Sequence, residues 1–293
     1  MGICGETSEL KIAVAGLHFG EEPPITGNGG SGTIFISGCN LRCVFCQNYQ
    51  IAHNGMGKIV DTNEFVQICL SLQKAGAENI NIVTGSHAVY AIADGIRAAK
   101  KAGLSLPCLW NSSAYEKEDA IKTISEWTDM YLPDLKTLNK NTAHDFFGLP
   151  FAAEREQLSA ADYPVVAQKA ILKMIETKSP VIIRHLVLPN FLHDTKEVLH
   201  WIADNAQKNV SLSLMTQYTP VRNSDKPDSS NIPNRFLDED EYKTVMEWVD
   251  YYGIDGYYQE LNTGSDWLPD FNKKNPFSSE LSKILWHWKF GFI

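Results

Sequence analysis

The amino-acid sequence predicts an α/β chain whose parallel strands close into a partial (β/α)6 barrel. Three observations lead to this fold class. Six short β-rich runs alternate with stretches of helical periodicity, the arrangement that builds a parallel sheet with crossover helices. The 293 residues fall in the range over which α/β barrels form as one domain. Polar and reactive side chains follow the runs directly, as they do at the C-terminal rim that carries function in such barrels.

The runs, in chain order, are TIFISG over 33–38, NINIVT over 79–84, LPCLWN over 106–111, DMYLPDL over 129–135, VIIRHLVL over 181–188 and SLSLMTQY over 211–218. Most are rich in branched or aromatic residues, which marks strands. Between the first two lies TNEFVQICLSLQKAGA, where Phe65, Ile68, Cys69 and Leu72 recur at helical spacing and Gly76 stands where a helix stops. After the last run, residues 218–237 are crowded with Pro, Asn, Asp and Ser and predict a long loop. LDEDEYKTVMEWVDYYG then predicts a helix with acids in its first turn, where they favour the helix dipole. Leu281, Ile284, Leu285 and Trp288 lie at i, i+3, i+4 and i+7 and predict a last helix packed on the barrel. Residues 1–293 are expected to form one domain, with a core barrel over about 30–220 and a C-terminal extension over 221–293.

Composition narrows the function classes. A formal net charge of −9 argues against a phosphate-binding surface, because nucleic-acid affinity rests on Lys and Arg neutralising phosphates. No apolar run approaches the length of a membrane span. Six cysteines without a signal peptide fit a reducing compartment, so the cytoplasm is the expected location.

The densest chemistry lies in GCNLRCVFCQN, where Cys39, Cys43 and Cys46 fall within eight residues. A closed iron-sulfur or zinc site takes four protein ligands, so three leave one coordination position for something that is not protein. The alternative is a structural zinc site completed by Cys4, Cys69, Cys108 or His53, although no second short-spaced ligand pair exists to form its other half. TGSH (84–87), NSS (111–113) and DLK (134–136) follow or end the next three strands, Arg184 and His185 interrupt the fifth, and Gln217 and Tyr218 end the sixth. Asp134 and Lys136, two apart on a strand, share a face; they form either a surface ion pair or a pair of groups in the barrel mouth. Arg184 sits in an apolar run and must meet a carboxylate of a ligand or of the protein. His185 suits a satisfied core histidine or a site residue.

The spacing C-x3-C-x2-C, with Phe45 before the last Cys, resembles the signature of radical S-adenosylmethionine enzymes. GTIFISGCNLRCVFCQN, NIVTGSH, LWNSSAY, YLPDLK and IIRHLVLP together resemble the branch similar to the pyruvate formate-lyase activating enzyme, within its activating-enzyme-like group. The resemblance runs from HFGEEPPITG near the start to LPDF near residue 270. It implies that Cys39, Cys43 and Cys46 hold three irons of a [4Fe-4S] cluster whose fourth iron binds S-adenosyl-L-methionine, and that Phe45 and Asn48 lie beside that cofactor. The family's strand-two word GGE, which contacts the cofactor amino group, is replaced here by Thr84, Gly85, Ser86 and His87. NSSAY stands for DTNGF, so Asn111, Ser112 and Ser113 are expected along the ribose or carboxylate side, and neutral Asn111 departs from an Asp of the family's cation site. DLK is kept, which implies that Lys136 reaches the cofactor carboxylate and Asp134 a polar or cation site. Arg184 matches the Arg of the strand-five word, which implies a charge-assisted contact to the cofactor, with His185 next to it also expected at the cofactor.

The resemblance further implies a one-electron donor, flavodoxin or ferredoxin, and a 5′-deoxyadenosyl radical that abstracts a hydrogen atom. The target is a glycyl-radical enzyme or another peptide, or a small metabolite. A non-catalytic metal-binding protein is the third class.

Overall fold

A computed structural model of the chain describes residues 7, 9–147, 160–221, 232–265, 267–278 and 280–293. Cys4 and residues 222–231 of the loop expected over 218–237 lie outside these residues.

The chain runs β1 (Lys11–His18), α1 (Pro23–Thr26), β2 (Ser31–Ile36), α2 (Tyr49–Ala52), β3 (Lys58–Ile59), α3 (Thr62–Lys74), β4 (Ile80–Val83), α4 (Val89–Lys101), β5 (Cys108–Ser112), α5 (Glu118–Ser125), β6 (Met130–Pro133) and α6 (Lys140–Phe146). It continues through α7 (Tyr163–Glu176), β7 (Ile182–Leu186), α8 (Leu192–Asn205), β8 (Ser211–Met215), α9 (Glu239–Tyr252), β9 (Gly256–Tyr258), β10 (Ser282–His287) and β11 (Gly291–Phe292). All six strands expected from the sequence are present. β2, β4, β5 and β6 pair in parallel, as do β7, β8 and β9. Two isolated parallel bridges, Tyr131 with Val181 and Asp134 with Arg184, join the two groups. The result is an α/β fold around a mostly parallel sheet that hydrogen bonds do not close into a complete ring.

Local chemistry accounts for the helix ends. Asp61 caps α3 by accepting from Glu64 N–H, and Asp238 and Glu241 form a reciprocal capping box on α9. Gly253 ends α9 in the left-handed conformation, which glycine adopts without a Cβ clash.

Five short or terminal strands escape the sequence reading: β1, β3, β9 and the pair β10–β11. β1 runs antiparallel to β2 and to β10. The last helix expected at Leu281–Trp288 is instead β10, with Val14 opposite His287 and His18 opposite Ser282. Helical spacing of four apolar residues in eight does not exclude a strand, and here the free edge of β1 supplies the partner that decides it. The C-terminal segment thus joins the main sheet. β1 is buried on both faces: Ile12, Ala15 and Leu17 enter the main core, while Ala13 and Val14 pack with Phe35, Ile51 and Phe271. Among the described residues no helix is long and apolar enough to cross a membrane.

Candidate active site

The C-terminal ends of the parallel strands surround a cavity of about 510 Å3. Cys39, Cys43 and Cys46 line it from the loop after β2, Thr84 from the end of β4, and Asn111, Ser112 and Ser113 from the end of β5. Asp134, Lys136, Arg184, Gln217, Phe45 and Asn48 complete the set of sequence-derived residues on its wall. Groups separated by up to 145 positions thus meet because parallel strands deliver the same end to one rim.

The cysteine loop leaves β2 through Gly38 at φ 87 and turns again at Arg42, φ 52. Val44 N–H donates to Phe146 O at 2.9 Å, and the ring of Phe45 meets Phe146 edge-on at 5.7 Å. This seats the loop against α6. Cys39 and Cys43 are buried and Cys46 is half-buried. Burial first, and then the neighbouring Cys39, push the Cys46 thiol up to about 12; burial pushes Cys43 up as well, against the pull of Lys136. Buried thiols this close to one another are costly to ionise alone and favour a cationic centre that binds thiolate. Among the described residues no group of three or more His, Cys, Asp or Glu side chains is placed to hold a metal ion. Three thiolates on three separate irons need no such common point, so the donor set suits a cluster. Cys69, Cys108 and His53, the candidates to complete a zinc site, are absent from the cavity wall.

Asp134 and Lys136 are an ion pair on that wall, with Nζ 2.8 Å from Oδ2. Burial draws the Lys136 ammonium down, but Asp134 and Cys43 outweigh it and hold its pKa above the usual lysine value. Tyr163 of α7 fixes the backbone here: its hydroxyl donates to Asp134 O at 2.8 Å and accepts from Lys136 N–H at 3.0 Å.

Arg184 is met by the protein itself. Its Nε donates to Glu22 Oε1 at 2.8 Å, and a terminal nitrogen reaches Glu21 Oε2 at 2.5 Å and also Glu22 Oε2. Both glutamates come from the β1–β2 connection, and Glu21 also accepts from Asn81 Nδ2 at 3.2 Å. His18, beside them on the wall, stays neutral because burial lowers its pKa more than Glu21 raises it.

Gly85, Ser86, His87 and His185 are not on the cavity wall. Gly85 lies against Trp110 and Ile92, where an added Cβ would stand 2.9 and 2.6 Å from their rings and methyl carbons. Ser86 donates to Glu116 at 2.8 Å. His185 is a satisfied core histidine: Nδ1 donates to Leu135 O at 2.7 Å and Nε2 accepts from Thr195 Oγ1 at 2.9 Å. Burial first lowers its pKa to about 4, so it is neutral. The sequence reading missed Glu21, Glu22 and His18, whose only signal was the acidic pair in HFGEEPP. It also missed the amides of Gln47 and Gln259, which bond to Gln217 at 3.1 and 2.9 Å and tie the cysteine loop to the ends of β8 and β9.

The family model described as Radical SAM superfamily matches residues 33–202. MJ0674, an uncharacterized protein of Methanocaldococcus jannaschii, is 28% identical over 251 residues, which cover 83% of this chain and 68% of that protein. Among solved structures, SuiB of Streptococcus suis bound to S-adenosylmethionine matches with a TM-score of 0.53 at 14% identity, covering 76% of this chain and 48% of that one. Native anSMEcpe with bound AdoMet gives 0.53 at 12% identity, over 76% and 61%. The FeFe-hydrogenase maturase HydG from Carboxydothermus hydrogenoformans gives 0.53 at 12% identity, over 83% and 60%. These likenesses are of fold, and the chain spans about half to three-fifths of the length of those three structures.

Proposed function

The chain belongs to the Radical SAM superfamily, and from that membership we propose that it abstracts a hydrogen atom from a polypeptide partner, in the manner of a glycyl-radical activating enzyme. The superfamily's cofactors are a [4Fe-4S] cluster and S-adenosylmethionine, served by a one-electron donor; we assign that donor to the flavodoxin or ferredoxin class. When bound, these cofactors supply one-electron cleavage of the sulfonium to methionine and a 5′-deoxyadenosyl radical.

One observation carries the reading: the three thiols share a cavity with the Asp134–Lys136 pair. Cys39, Cys43 and Cys46 would hold three irons and leave the fourth open. Lys136, charged at neutral pH, holds a carboxylate through Nζ. Thr84, Asn111 and Ser113 offer neutral hydrogen-bonding groups on the adjoining wall. Phe35, Phe45, Val83, Leu186 and Met215 supply apolar lining, which excludes water and shields a radical from side reactions.

A polypeptide target is supported by what the fold accommodates elsewhere, since SuiB has also been solved with its precursor peptide SuiA. The cavity volume favours a second reading, radical modification of a small metabolite, because about 510 Å3 lies within the range of about 300–1,000 Å3 for small-molecule sites. The test is electron paramagnetic resonance on the reconstituted chain mixed anaerobically with S-adenosylmethionine, reductant and a glycyl-radical enzyme from the same cell. A doublet on the partner glycine is the expected result. Cofactor cleavage stimulated only by a small molecule would transfer the assignment to the second reading.

A further inference from the structure

Thr84 lines the cavity at the end of β4 and has φ 62. A branched side chain in the left-handed region is strained by about 1–3 kcal/mol, and such a conformation persists only where its surroundings over-determine it. Something must hold the turn.

Three contacts converge on it. Thr84 N–H donates to Asn111 O at 2.9 Å, which ties the turn to β5. Gly85 lies directly on the ring of Trp110, with no room for a Cβ. Beyond it, Ser86 Oγ and Trp110 Nε1 both donate to one oxygen, Glu116 Oε1, each at 2.8 Å. Glu116 is 6% exposed, and its second oxygen, Oε2, is buried with no hydrogen-bond partner among the described residues. Both donors are neutral, and among the described residues no cation pairs with Glu116. An ionised carboxylate in such a place is costly, whereas a carboxylic acid with its proton on Oε2 leaves Oε1 free to accept twice. Burial accordingly pushes the Glu116 pKa up against the pull of Ser86, Trp110 and the nearby Ser112 hydroxyl.

We propose that Glu116 is a positioning residue of this site: by accepting from Ser86 and Trp110 at once it clamps the loop after β4 onto β5 and fixes Thr84 and Asn111 on the cavity wall. The role rests on the reading above that the cavity takes S-adenosylmethionine, and it deepens that reading by naming what holds one wall. Glu116 does not line the cavity; it acts through the loop.

The test compares unmodified chain, Glu116→Leu and Glu116→Gln, all reconstituted anaerobically. Glutamine keeps the neutral acceptor oxygen and the shape, whereas leucine keeps the volume and removes the acceptor. The first readout is amide hydrogen exchange of residues 84–87, which needs no cofactor. Glu116→Leu should speed exchange there by tenfold or more while β4 and β5 stay protected, and Glu116→Gln should bring it back toward the unmodified rate. The second is the dissociation constant for S-adenosylmethionine, expected to rise about tenfold in Glu116→Leu and to be largely rescued by glutamine. Should the leucine variant not fold, Ser86→Ala removes one of the two donors; it should speed exchange of residues 84–87 about fivefold, the loss of one hydrogen bond. Exchange unchanged in Ser86→Ala, or a glutamine variant as open as the leucine one, would overturn the proposal. If the unmodified chain fails to bind S-adenosylmethionine, the cofactor reading fails, and the exchange data still decide the role of Glu116.

Discussion

Arg184 and Lys136 are the two cations of the cavity wall, and they answer to different partners. Arg184 is tied to the fold, because its guanidinium pairs with both Glu21 and Glu22, all three being nearly buried. Breaking a buried pair by deleting one member costs about 3–5 kcal/mol, since it strands an unpaired charge. Arg184→Ala should therefore lower stability in urea unfolding by that order. The pH dependence follows from Glu22. Burial raises its pKa, but Arg184 lowers it further, below the usual 4.5. A carboxyl depressed on folding stabilises above its unfolded value, and that contribution is lost as pH falls through the folded value. The gap between unmodified chain and Arg184→Ala should thus be full near neutrality and shrink below about pH 4.5; a gap that stays constant into acid would contradict the pairing.

Lys136→Ala should behave differently. The pair with Asp134 is part-exposed, and such pairs contribute little to stability. Loss of a charge-assisted contact to a carboxylate should weaken S-adenosylmethionine binding by about 1.5–3 kcal/mol, measured by calorimetry on reconstituted protein. Unchanged affinity would remove Lys136 from the cofactor site.

At the scale of elements, the antiparallel addition of β10 to β1 is the feature with most consequence. The register slips between Ala15 and Gly16, and a Cβ on Gly16 would stand 2.6 Å from Lys283 O and 2.9 Å from Ile284 Cα. Both are backbone atoms that cannot turn aside. Gly16→Ala should cost about 1–3 kcal/mol, the range for overpacking, and lower the thermal midpoint by several degrees. An unchanged midpoint would mean that β10 does not lie on β1 as described. The six parallel strands were legible because branched residues and following turns mark them locally. β9, GYY over Gly256–Tyr258, carries three residues and no local mark; it is a strand because β8 offers an unpaired edge. β10 was read with the wrong period because Leu281, Ile284, Leu285 and Trp288 satisfy a helical spacing that only the neighbouring strand overrules.

For the whole molecule, the expected outcome of anaerobic reconstitution is about four irons and four sulfides per chain, one cubane, with Cys43→Ala losing both the cluster and cofactor cleavage. Stoichiometric zinc without sulfide would instead favour the metal-binding alternative.

The sequence by itself determined the chemistry. Three thiols at C-x3-C-x2-C, DLK after the fourth predicted strand and the alternation of strand and helix are local patterns, and local patterns are written in neighbouring residues. It also determined the rim, because parallel strands must bring their following loops to one end. Only the tertiary structure decided which of those residues face the cavity and which face the core: Lys136 and Asn111 line it, His185 turns inward to Leu135 O and Thr195, and Ser86 turns to Glu116. It alone brought Glu21 and Glu22 to Arg184 across more than 160 positions. The physical reason is that a buried polar group is defined by its partner, and partners far apart in the chain are chosen by packing, which no short stretch of sequence contains.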